Sequence, residues 1–148
     1  MDDRSNERAA VDKPDRWRKT NVFAVENVAE RRFGLSPDDY QLRLLRDALG
    51  CESVSVSYLR FGPDWKLSIG HAHPDQEEAF VLISGRAQAK IGRELVELET
   101  WDALRVSPRT VFAIRAAGGG EAVFIAAGAP RTEFGRTKFV RGFWPTVS

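Results

Sequence analysis

Residues 70–85 read Gly-His-Ala-His-Pro-Asp-Gln-Glu-Glu-Ala-Phe-Val-Leu-Ile-Ser-Gly, and the only two histidines of the chain, His71 and His73, both fall in this stretch. Residues two apart on an extended backbone point to the same face, so the two imidazoles stand about 7 Å apart at Cα and can converge on one point. Pro74-Asp75-Gln76-Glu77 then supplies a turn that brings Glu78 back on a neighbouring strand. Two neutral imidazoles and one carboxylate form the facial donor set of non-haem Fe(II) sites, and they suit Mn, Ni, Co or Zn as well. Beyond Glu78, Ala79 to Ser84 is an apolar run of strand length, closed by Gly85.

Outward from this stretch the hydrophobic period is two. Towards the C-terminus, Ala87 to Ile91, Leu95 to Leu98, Ala103 to Val106, Val111 to Arg115 and Ala122 to Ala126 read as short strands. They are separated by Gly92-Arg93-Glu94, Glu99-Thr100, Ser107-Pro108 and Gly118-Gly119-Gly120, all turn formers. Upstream, Val54, Val56 and Tyr58 alternate with serines, and Trp65, Leu67 and Ile69 start another strand after the turn Phe61-Gly62-Pro63-Asp64. About nine strands at 8 to 12 residue spacing predict an all-β sandwich or barrel. A further short strand is expected at Asn21 to Val28.

One helix is expected. Ser36 followed by Pro37, Asp38 and Asp39 has the character of an N-cap and first turn, Gly50 lies where a C-terminal cap belongs, and Leu42, Leu45 and Leu49 would form the buried stripe. The competing reading is an extended segment crossing the barrel. Residues 1–20 carry many charges and a single large apolar side chain, Trp17, which predicts a flexible arm. Residues 21–131 would then be the barrel, and residues 132–148, with Phe134, Phe139, Phe143 and Trp144, an aromatic tail packing back on it.

At His71, His73, Glu78 and Gly85 the chain resembles the cupin superfamily, whose first motif is two histidines separated by one residue, then a glutamate and a glycine at the same spacings. The resemblance covers roughly Val54 to Ala126. It implies an all-β cupin jelly roll, or double-stranded β-helix barrel, with a short N-terminal helix or extended arm, holding a metal and a small ligand inside. The second motif of the family departs. Trp101-Asp102 stands where the family has Gly-Asp, and the histidine that would be the fourth ligand is replaced by Phe112 if Asp102 sets the register, or by Ala113 if Pro108 does. Gln76 and Glu77 are the nearest substitutes. What remains is a metal set of His71, His73 and Glu78, with Glu78 also the candidate catalytic base if no metal is bound.

Composition narrows the function further. The 148 residues carry 22 Lys plus Arg against 21 Asp plus Glu, a formal charge of +1, which speaks against nucleic acid as a partner. No apolar run is long enough to span a membrane. The single cysteine, Cys51, cannot form an internal disulfide, and the charged start lacks a signal-peptide pattern, so the expected location is the cytoplasm. Cys51 has no neighbouring base and reads as structural. Tyr58, Arg60, Trp65 and Arg105 are candidates to line the pocket, the two arginines being read first as solvated. The function expected is binding of a divalent transition metal (Fe, Mn, Ni, Co or Zn) and a small polar ligand or substrate, in a dioxygenase or isomerase. The alternative is a metal-free binding or sensing module. The resemblance also implies a homodimer.

Overall fold

The computed structural model describes residues 16–132 and 136–145. Its strands form two five-stranded antiparallel sheets. The first contains, in spatial order, β1 (Tyr40–Leu44), β2 (Ser55–Phe61), β9 (Ala122–Ala129), β4 (Glu77–Ser84) and β7 (Ala103–Val106). The second contains β10 (Lys138–Val140), β3 (Gly70–Ala72), β8 (Phe112–Ala117), β5 (Arg86–Ile91) and β6 (Glu94–Leu98). From β2 onward the chain passes repeatedly from one sheet to the other, which is the jelly-roll connectivity expected from the sequence.

The two sheets close on one apolar core. Leu59 and Phe61 of β2, Phe80 and Leu82 of β4 and Phe124 of β9 meet Ala87 and Ala89 of β5 and Phe112 and Ile114 of β8. Phe124 and Leu82 are wholly buried, and each such side chain contributes about 1.5–3 kcal/mol through removal from water. Gly85 makes the hairpin between β4 and β5 possible. Its φ is 87°, and a Cβ there would lie 1.9 Å from the carbonyl oxygen of Glu121, so no other residue fits.

Three expected elements come out differently. Residues 36–39 form a turn, and Tyr40–Leu44 is a strand; only Leu45–Leu49 is helical, ended by Gly50 in the left-handed region. The cause is tertiary: β1 pairs along its whole length with β2, and Tyr40 and Leu42 turn onto the core. Around Asn21 there is a 3-10 turn at Val22–Ala24 and then a short helix, Ala29–Phe33, in place of a strand. Asn21 caps the turn by accepting from the Phe23 N–H, and Asn27 Oδ1 accepts from the backbones of Ala29 and Leu42, so side chains take donors a ladder would use. Residues 65–69 are not a strand either; pairing starts at Gly70. The carbonyl of Leu67 accepts from Arg115 and that of Ser68 from the Trp144 N–H.

The C-terminal residues cover the outer face of the second sheet. β10 adds to the edge of β3, pairing Phe139 with His71. Beyond it, Trp144 is buried with the Arg115 guanidinium 4.0 Å from its ring, and Lys90 reaches the Phe143 carbonyl. On the first sheet, Tyr58 faces outward and is covered by Phe23 at 5.4 Å. Trp17 is exposed; most of the expected arm, residues 1–15, and Phe134 lie outside the described residues. Among the described residues no helix is long and apolar enough to cross a membrane.

Candidate functional site

Antiparallel pairing brings the sequence-predicted residues together. His71 is the central residue of β3, His73 follows directly after it, and Glu78 lies on β4, two residues before the core residue Phe80 and therefore on the same inner face. The three residues each offer one ligand atom, all within 4.8 Å of one another. His73 Nε2 lies 2.7 Å from Glu78 Oε1. The two rings of His71 and His73 meet edge to face with centroids 5.3 Å apart.

The surroundings fix the donor set. His73 Nδ1 lies 3.3 Å from the Thr137 hydroxyl, which engages the outer nitrogen and leaves Nε2 to the interior. The His73 carbonyl accepts from the Arg109 N–H at 2.8 Å, tying the loop after β7 to the site. Burial pushes the His71 imidazole down to about 4; His73 adds to this and the Glu78 carboxylate opposes it. His71 is thus neutral at physiological pH, the form in which imidazole binds metals. Glu78 Oε1 is buried and, although in contact with His73 Nε2, has no aligned hydrogen-bond partner. An orphaned buried carboxylate oxygen beside an inward imidazole nitrogen and a neutral second imidazole fits a divalent cation.

The fourth ligand position is apolar. Phe112 pairs directly with His71 across β3 and β8, and their ring centroids are 4.4 Å apart. Ala113, the other candidate, is buried on the opposite face of β8. Phe112 therefore occupies the inward position beside the histidines, and Asp102 sets the register. Trp101, where the family pattern has glycine, keeps a left-handed φ of 75°. Of the two substitutes, Gln76 has its amide engaged elsewhere and Glu77 does not reach the site. Gln76 is buried but packs against Gly128 and donates to the Pro130 carbonyl at 3.2 Å. Glu77 points outward and pairs with Arg105 at 2.6 Å.

The remaining candidates divide. Trp65 does face the interior, stacking on Tyr40 at 5.1 Å. Arg60 lies on the outer face of β2 and pairs with Glu121, and Arg105 is exposed, so both arginines are outside the pocket. Tyr58 is outside as well. Cys51 is half-buried, and its carbonyl accepts from Arg131. Sequence reasoning passed over Tyr40, which it placed inside a helix. A run of ring contacts links Tyr40 through Phe61, Phe124, Phe80 and Phe112 to His71, so aromatic side chains line the barrel beneath the polar residues.

No family profile matches the chain, and no curated protein matches it in sequence. Solved structures do match in fold. A cupin protein from Bacteroides fragilis superposes with a TM-score of 0.61 at 21% identity, covering 79% of this chain and 86% of that one. Pac13, described as a nucleoside dehydratase, gives 0.59 at 16% identity over 84% and 91%. KdgF from Halomonas gives 0.52 at 16% identity over 67% and 84%.

Proposed function

For a chain that is a cupin by fold, we propose that it binds a divalent transition metal through His71, His73 and Glu78 and holds a small polar molecule in the barrel beside it. The observation that carries this reading is the convergence of His71, His73 and Glu78, whose ligand atoms all lie within 4.8 Å of one another, with the buried Glu78 Oε1 2.7 Å from His73 Nε2. A buried unsatisfied carboxylate oxygen costs stability unless something answers its charge. Three protein donors leave several positions of the ion open to a ligand. When bound, the ion supplies Lewis-acid polarisation of a ligand oxygen.

The chain's own residues supply orientation and exclusion of water. Thr137 and the Arg109 N–H hold His73, and burial holds His71 in its neutral form. The likeness to a nucleoside dehydratase supports a reaction that moves protons on an oxygenated compound, such as dehydration or isomerisation, in preference to oxygenation. A second reading has its own observation: Phe112 fills the fourth ligand position, which favours a metal-free pocket in which His73 and Glu78 share a proton and Glu78 acts as base.

Elemental analysis of untagged protein separates the two. Near-stoichiometric metal in the parent, lost in the double variant His71→Ala, His73→Ala with the fold retained by circular dichroism, is the expected result. Absence of metal from the parent even after incubation with Fe, Mn, Ni, Co or Zn would sink the metal reading and leave the proton-sharing one.

A further inference from the structure

Tyr40 is a polar side chain of the aromatic lining that neither the sequence motif nor the metal set includes. It lies at the start of the edge strand β1, opposite Phe61 of β2, and packs with Phe61 and Trp65 against the core. Its ring stacks on Trp65 at 5.1 Å and tilts against Phe61 at 5.3 Å, so the phenol is held in place from two sides. Gly62 fastens the loop that carries Trp65: its N–H donates to the Asp39 carbonyl at 2.8 Å, and a Cβ there would lie 2.1 Å from the Asp38 carbonyl.

The hydroxyl of Tyr40 has no hydrogen-bond partner among the described residues, and it is not sealed from solvent as Glu78 Oε1 is. An unpaired phenol O–H that stays open to solvent is available as a donor to a ligand oxygen. The Glu78 charge reaches this phenol and, with burial, holds it firmly in the protonated form. Yet the two groups make no direct hydrogen bond. The phenol is thus an open O–H donor turned into the same barrel interior that holds the His71, His73 and Glu78 set.

We propose that Tyr40 Oη is the second recognition point of the pocket, donating a hydrogen bond to a carbonyl or carboxylate oxygen of a small ligand whose other end lies at His71, His73 and Glu78. Trp65 positions the phenol and is not itself a hydrogen-bonding partner. The inference rests on the pocket reading above but not on the identity of what fills the donor set. With a divalent cation in place the set carries net positive charge and selects a carboxylate; without it the Glu78 charge selects a neutral carbonyl.

Two probes that differ only in charge, lactate and lactamide, test this by calorimetry on full-length protein, each with metal-loaded and metal-free samples of the parent and of Tyr40→Phe. The phenylalanine keeps the ring contacts and removes only the hydroxyl. The expected result is that metal content is the same in both proteins while the affinity for the bound probe falls about ten-fold in the variant. Equal affinity of parent and Tyr40→Phe, or no binding of either probe to either form of the parent, overturns the proposal. Tyr40-dependent binding of lactamide by a parent that takes up no metal would sustain Tyr40 and remove the metal reading alone.

Discussion

His71 and Phe112 pair across β3 and β8, with ring centroids 4.4 Å apart on the same inner surface, yet they belong to regions that obey different rules. On the β3 and β4 side the barrel turns His71 and Glu78 inward, and Glu78 Oε1 is buried against His73 Nε2 without an aligned hydrogen bond. On the β8 and β9 side every inward residue is apolar, and Phe112 and Phe124 are wholly buried. The floor contributes stability through removal from water, while the polar wall stores an unsatisfied charge that a bound group can answer. In this barrel the boundary between chemistry and core falls between β3 and β8 and, along β4, between Glu78 and Phe80.

That contrast can be broken first on the apolar side. Truncating Phe124→Ala removes a ring packed against Phe61 and Phe80 and should destabilise the protein by about 3–5 kcal/mol in urea unfolding. A loss below about 1 kcal/mol would mean that the floor is not the stabilising half.

Moving the boundary is the second test. Phe112→His places an imidazole beside His71 and should raise affinity for Co(II), read by calorimetry, at least ten-fold, with some loss of stability because a polar ring enters the core. Unchanged affinity would show that the inward position of β8 does not address the donor set.

The smallest effect belongs to pH. Burial holds the folded-state His71 at about 4, below the roughly 6.5 of an unfolded histidine. Between those values the unfolded chain binds the extra proton, so stability is greatest above about pH 6.5 and is lost as pH falls towards 4. Denaturant midpoints of the metal-free protein at pH 7 and pH 4.5 should show this loss, and His71→Gln should flatten it. A His71→Gln variant with the same pH slope as the parent would assign the loss to other groups.

The strands from β4 to β9 were legible because all but one of their turns, that between β6 and β7, carry glycine or proline and their apolar residues recur at strand spacing, signals that survive in any context. Residues 36–44 were not, because the same leucines suit a helix stripe or a strand, and only the open edge of β2 decides between them. Residues 65–69 alternate like a strand, but their carbonyls are taken by Arg115 and by the Trp144 backbone, from segments far along the chain. Tyr40 went unseen for the same reason as β1: a residue assigned to a helix has no inward face in a barrel.

The sequence alone pointed to the cluster of His71, His73 and Glu78, since two-residue alternation and one tight turn, which are local geometry, bring them together. It also determined that no third histidine completes the set. Only the tertiary structure decided that Phe112 and not Ala113 fills the remaining position, that the Gln76 amide is engaged by the Pro130 carbonyl, that Glu77 faces outward, and that Tyr40 turns onto the same interior. Those outcomes depend on register between strands distant in sequence, and a shift of one residue exchanges the inner face for the outer, so local pattern carries no information about them.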